Sequence, residues 1–256
     1  MEQLARLGYV VHGLLYLIIG GLAAGIAAGV GGALTDLTGA IEVIGKQPFG
    51  KLAVLVTAVG LAAYALWRLL QAVTDPDKQG RSMKGIVVRI GRVVSGAGYA
   101  ALAVFAAKLS ARTTGDDETS MNWAGRLLLE PLGPLAATAI SLIVLGVAVE
   151  DIRKACTARF GERLKASDMT VVQRVCSRCA GVWGFAARAV VLCFAGAFLL
   201  RAAWHVNPGE VKGLAGVLAS IFAMPHGNWI LGGVGLGLAA YGLFMILAGR
   251  YRRHPY

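Results

Sequence analysis

The feature that most limits what this chain can fold into is a pair of landmarks that returns three times in fixed order. Gly8, His12, Gly13 and Tyr16 in the first apolar stretch reappear 83 positions later as Gly91, Ser95, Gly96 and Tyr99. A weaker copy, 176 positions from the first, reads Gly184, Phe185, Arg188 and Ala189. After each comes a second landmark: Gln47-Pro48-Phe49-Gly50, then Glu130-Pro131-Leu132-Gly133, then Met224-Pro225-His226-Gly227. Self-similarity at fixed spacing sets an architecture before any motif is interpreted. Here it predicts a single membrane domain over 1–256 with repeats near 5–75, 88–155 and 179–250.

Composition says what the repeated unit is. The chain is 57% apolar and 15% charged, whereas soluble domains carry about 25% charged residues. Windows near 8–28, 51–71, 91–109, 132–150, 182–201 and 229–248 are nearly free of charge. Each has about the 20 residues that cross roughly 30 Å of hydrocarbon as helix. The first window lacks the leader and cleavage pattern of a secretory signal and is expected to be retained. The predicted class is an all-α membrane protein with six transmembrane helices. Each unit holds two crossings, so successive units enter the bilayer in the same direction. The repeats are therefore parallel, related by rotation about the membrane normal, and predict a pseudo-threefold bundle.

Basic residues orient it, because short loops rich in Lys and Arg stay in the cytoplasm. Arg6, the segments 72–90 and 151–181, and the tail with Arg250, Arg252 and Arg253 all fall on one side. On the other side Lys46, Lys51, Lys108, Arg112, Arg126, Arg201 and Lys212 are balanced by seven acids. Both termini and a basic linker at 151–181 are expected in the cytoplasm. The formal charge of +11 carries no nucleic-acid motif and suits anionic lipid headgroups, at about 1 kcal/mol per basic residue near the surface.

Each outer connection predicts a short interfacial helix. Leu37, Ala40, Ile41 and Ile44 recur at helical spacing in the first, and Val211, Leu214, Ala215, Leu218 and Phe222 in the third. Trp123, Leu127 and Leu128 share a face in the second. Pro48, Pro131 and Pro225 then end these helices, and the glycine two residues on is expected to turn the chain into the next crossing. Gly20, Gly21, Ala24 and Gly25, with Gly232, Gly233, Gly235 and Gly237, are suited to close helix contact.

The equivalent positions that differ between copies are the candidate functional residues. His12, Ser95 and Arg188 stand at one depth, where polar side chains are costly and face partners or water. Together they line a vestibule or hold an anionic headgroup, quinone or small solute; alternatively Arg188 snorkels to the surface and His12 bonds a nearby carbonyl. Tyr16, Tyr64, Tyr99 and Tyr241 with Trp67 are candidates to line a cleft between repeats, although packing is the commoner task of a buried tyrosine. Val147 replaces the tyrosine in the middle copy. Trp67-Arg68 at the inner end of the second helix corresponds to Glu150-Asp151 in the fourth. That exchange permits ion pairs of Glu150 or Asp151 with Arg153 or Arg188.

Catalytic signatures are missing. Cys176-x-x-Cys179 has only Cys156 as a plausible third ligand, short of a structural zinc site. Cytoplasmic and intrahelical thiols are expected to stay reduced. No phosphate-binding loop, Ser-His-Asp order or metalloprotease motif occurs, so neither enzyme activity nor a cofactor is expected.

The run Ala5-Arg6-Leu7-Gly8-Tyr9-Val10-Val11-His12-Gly13-Leu14-Leu15-Tyr16, with Gln47-Pro48-Phe49-Gly50 and Gly60-Leu61-Ala62-Ala63-Tyr64-Ala65-Leu66-Trp67-Arg68, resembles a bacterial six-helix membrane family of triplicated two-helix repeats. That family is catalogued only as domain-of-unknown-function family 1206. The resemblance covers essentially the whole chain and implies six crossings and bacterial inner-membrane placement, but no substrate or catalytic residue. The third copy departs from it where Leu192 replaces tyrosine and Ala189 replaces glycine. The leading functional expectation is a scaffold, accessory subunit or lipid-binding component beside a membrane-protein partner. The alternatives are a small transporter or channel along the pseudo-threefold axis, and a binding protein for a quinone, pigment or other apolar ligand.

Overall fold

Among the described residues, six helices long and apolar enough to cross a membrane stand where the six apolar windows lie. The computed structural model describes residues 2–74, 83–111, 128, 132–158 and 171–251. Trp123, Leu127, Pro131, the linker residues Arg159, Arg163 and Lys165, and the tail beyond Tyr251 lie outside these. In chain order the α-helices among the described residues are α1 (Glu2–Ala27), α2 (Leu37–Gly45), α3 (Gly50–Thr74), α4 (Met83–Ala111), α5 (Gly133–Thr157), α6 (Val171–His205), α7 (Leu214–Phe222) and α8 (Gly227–Tyr251). All but α2 and α7 are crossings. α6, at 35 residues, is about 50 Å long at 1.5 Å per residue. It therefore starts well inside the expected cytoplasmic linker, and α5 runs into that linker from the other side to Thr157.

α2 and α7 follow the first and third outer connections. Asp36 caps α2 by accepting the Gly39 N–H at 2.9 Å. Ala40 and Ile41 are buried in α2, and Val217, Leu218 and Ile221 in α7. Their apolar stripes thus press on the bundle. Leu128, from the second connection, packs on Ala137, Ala202 and Ala203 between α5 and α6.

The turn into α3 and α8 differs from expectation in one respect. Phe49 and His226, not the glycines after them, take the left-handed backbone, with φ of 63° and 60°. Gly50 and Gly227 are needed for a different reason: a Cβ would run into the carbonyls of Gly45 and of Phe222 that end the preceding helices. Close backbone approach fixes them, not torsional freedom.

Packing interlocks the units. Each first helix lies most extensively on the second helix of another repeat: α1 on α8, α4 on α3, α6 on α5. Between α1 and α8 glycines meet in antiparallel register. Gly13 faces Gly242 and Gly20 faces Gly235; a Cβ on Gly235 would stand 2.7 Å from the Ala24 nitrogen and 2.9 Å from the Gly20 carbonyl. The same register recurs where Gly96 meets Ala65 and Leu69, and where Gly196 meets Leu145. In lipid such surfaces associate through close van der Waals contact.

Contact within a repeat is what breaks the symmetry. Gly8 abuts the Tyr64 backbone, its Cβ position 2.9 Å from that Cα, and Gly184 abuts Tyr241 in the same way. These contacts join α1 to α3 and α6 to α8. Gly91, the third equivalent, has nothing within 4 Å of its Cβ position. Opposite it Val147 replaces the tyrosine, and Ile143 stands where Gly60 and Gly237 receive Val11 and Trp183 in the other copies. Accordingly α4 and α5 scarcely touch, and they are the least buried crossings. Around the axis the order is α4, α3, α1, α8, α6, α5, with the ring open between its ends.

Gly20→Val should destabilise the protein by about 2 kcal/mol through overpacking of α1 on α8. Gly91→Ala should shift it by less than about 1 kcal/mol. Denaturant unfolding of both variants in one mild detergent measures the contrast.

Candidate functional site

His12 is the centre of the polar core. Its ring is 1% exposed and meets tyrosines from four helices. It stacks on Tyr64 of α3 at 5.0 Å and 13°, and meets Tyr99 of α4 edge-on at 5.0 Å. Tyr16 of its own helix lies 4.8 Å away and Tyr241 of α8 6.1 Å. The His12 Nε2 lies 3.4 Å from the Tyr99 hydroxyl, so Tyr99, not a backbone carbonyl, faces it. Tyr64 and Tyr99 also meet at 4.8 Å, and Tyr16 and Tyr241 at 5.0 Å. Edge-to-face pairs at such distances add to the burial of the rings.

The arginines extend this core toward the basic side. Arg188 of α6 does not snorkel outward: its Nη1 donates to Asp151 of α5, and its guanidinium lies 5.2 Å from the centre of the Tyr241 ring. The Asp151 carboxylate is 0% exposed and the Arg188 side chain 18%. Lys154 donates to the other Asp151 oxygen at 3.0 Å. A buried carboxylate held by two cations is satisfied only while both remain. Glu150 instead pairs with Arg153 at 3.0 Å on the exposed surface, outside the core.

Repeat equivalence makes these contacts comparable. His12 lies over Tyr64 as Arg188 lies over Tyr241: the polar residue of a first helix over the tyrosine of its own second helix. In the middle copy the pair is Ser95 and Val147, across the opening, and both are half-buried. Thus His12 and Arg188 converge near one end of the bundle, whereas Ser95 lies beside the gap. Tyr16, Tyr64, Tyr99 and Tyr241 enclose His12; Trp67 packs against the edge of the same core.

Sequence reasoning left out several members of this core. Arg68, taken only to close its helix, turns back one turn: Nε and Nη2 donate to the Tyr64 hydroxyl at 3.1 and 2.7 Å. The i, i+4 spacing of Tyr64 and Arg68 was the available signal. Tyr9 meets Tyr64 at 5.4 Å and its equivalent Phe185 meets Tyr241 at 5.4 Å. Buried Arg92 donates to the Gln71 carbonyl at 2.9 Å. Cys156, Cys176 and Cys179 are exposed. Among the described residues no three His, Cys, Asp or Glu side chains converge as metal ligands.

Comparison with known proteins agrees with this architecture. The family described as Domain of Unknown Function (DUF1206) matches three times, at residues 7–75, 90–158 and 183–252. "Uncharacterized protein YxxB" of Bacillus subtilis (strain 168) is 31% identical over 253 residues, covering 98% of this chain and 91% of that protein. No solved structure matches the chain.

Asp151→Asn should cost about 3 kcal/mol of stability, because it leaves Arg188 and Lys154 facing an uncharged group. Adding Arg188→Gln should recover part of that loss. A double-mutant cycle by denaturant unfolding in detergent measures the coupling.

Proposed function

Since the chain belongs to the DUF1206 family, whose unit it carries three times, we propose that it is a non-enzymatic, membrane-embedded binding protein for an amphiphile that enters sideways from the lipid. The observation that carries this reading is the open middle repeat, which lies beside a polar core that repeats one and three close with His12–Tyr64 and Arg188–Tyr241 contacts. Binding sites are concave, mostly apolar, and carry a few convergent polar groups. Tyrosine hydroxyls, His12 and the arginines supply such groups, and the apolar flanks of α4 and α5 supply the rest.

Two other uses fit less well. An axial channel needs a water-filled path, and at the depth of His12 the tyrosines of four helices fill the axis. A scaffold or accessory subunit needs only an outer packing surface and gives no role to buried ionisable groups, which are expensive in a membrane. On this reading both termini face the cytoplasm of a bacterial cell, because the basic segments gather on the side where α1 begins and α8 ends.

The test is extraction from native membranes into lipid-bilayer discs, followed by intact-mass measurement. The expected result is one amphiphile retained per chain. The paired change Ser95→His with Val147→Tyr, which rebuilds the contact of the first repeat across the opening, should lower that retention about tenfold, or about 1.4 kcal/mol. Recovery of a bare chain from every preparation contradicts the proposal.

A further inference from the structure

The three repeats build one interface in three electrostatic versions. With Gly13 set on Gly242 and Ile246, and Gly96 set in the same register on Ala65 and Leu69, the residue before each glycine faces a fixed position on the opposing second helix. Arg188 meets Asp151 across this interface, and repeat spacing makes His12 with Met245, and Ser95 with Arg68, the equivalent pairs of positions. The first version holds no arginine, lysine or carboxylate. The last contains its own counter-ion, as the Arg188–Asp151 pair shows. The middle version keeps an arginine and lacks the carboxylate.

Arg68 has no carboxylate within ion-pairing distance among the described residues. Its guanidinium bends away from the helix end to the Tyr64 hydroxyl and lies 5.1 Å from that ring's centre. Both of its hydrogen bonds go to one oxygen, and a guanidinium has five N–H donors in a fork suited to phosphate. A long basic side chain so close to a helix end can ordinarily snorkel outward; this one is turned inward, with no carboxylate beside it among the described residues. Buried Arg92 of α4 ties the same helix pair together through the Gln71 carbonyl. Nearby, the buried Nδ1 of His12 has no hydrogen-bond partner among the described residues. α4, one side of this interface, is also one side of the opening.

We propose that Arg68 receives the phosphate of an anionic glycerophospholipid whose acyl chains lie between α4 and α5. The lipid supplies the anion that Asp151 supplies at the equivalent interface. This rests on the sideways-binding reading and adds the head group. Val94, Ile143 and Val147 give the acyl chains an apolar border, Val94 being exposed and the other two half-buried. Charge complementarity favours an anionic head over a zwitterionic one, since both offer a phosphate to the guanidinium and the zwitterionic head adds an ammonium that like charge repels.

The full chain in discs of equal phosphatidylglycerol and phosphatidylethanolamine, released into mild detergent and weighed intact, tests this directly. Retained lipid should be enriched about tenfold in phosphatidylglycerol. Arg68→Gln should bring the ratio close to that of the bulk lipid, and Arg68→Lys, which keeps charge without the fork, should fall between. Equal retention of both lipids by the unaltered chain overturns the head-group assignment, with or without a recoverable Arg68→Gln protein. So does an unchanged ratio in that variant. Displacement by millimolar glycerol phosphate would place the anion in solution and overturn the lipid assignment. If no amphiphile of any kind is retained by the unaltered chain, the sideways-binding reading itself fails.

Discussion

Close backbone approach between helices of different repeats is the constraint on which the rest depends. Gly13 and Gly20 of α1 meet Gly242 and Gly235 of α8 with no room for a side chain between them. In hydrocarbon no hydrophobic force draws helices together, so complementary small-residue surfaces must do it. Because α1 and α8 lie at opposite ends of the chain, this one contact closes most of the ring. It also brings Tyr16 and Tyr241 against each other and holds His12 in a pocket of rings.

From that frame the asymmetry has a local cause. Two repeats are closed internally by glycine against tyrosine backbone, Gly8 on Tyr64 and Gly184 on Tyr241. The middle repeat keeps its glycine, Gly91, and has lost the tyrosine to Val147, while Ile143 fills the notch that Gly60 and Gly237 leave in the other copies. A bulky branched residue in place of glycine keeps two helices apart. The same middle repeat contributes Asp151 to one neighbour and Ser95 to the other, so the charge pattern and the opening share a boundary.

Much of this was legible in the sequence because repetition supplies its own comparison. The three-fold recurrence gave the six crossings and parallel units, and the replacement of Tyr64 and Tyr241 by Val147 marked the odd repeat. The exchange of Arg68 for Asp151 marked the positions where charge differs. What the sequence did not carry is direction. Whether Arg188 turns toward the surface or toward Asp151, and whether Arg68 turns outward or back onto Tyr64, depends on a partner brought by a different helix or by one particular rotamer. Helical periodicity likewise could not show that α6 continues far beyond the apolar window, since polar residues such as Gln173 and Arg174 are good helix formers. The left-handed Phe49 and His226 were hidden for the opposite reason: the glycine beside them is the residue that composition rules favour for such a backbone.

The central claim is that the ring is closed between repeats and open within the middle one. Disulfide cross-linking in native membranes, with the four native cysteines replaced by alanine, tests it most directly. The pair Ala65→Cys with Gly96→Cys should bridge readily on mild oxidation, because α3 and α4 touch there. The pair Gly91→Cys with Val147→Cys should not bridge, since disulfides need Cα atoms within about 7 Å. Equal bridging of the two pairs would mean that the middle repeat closes like the others, and the sideways opening would not exist.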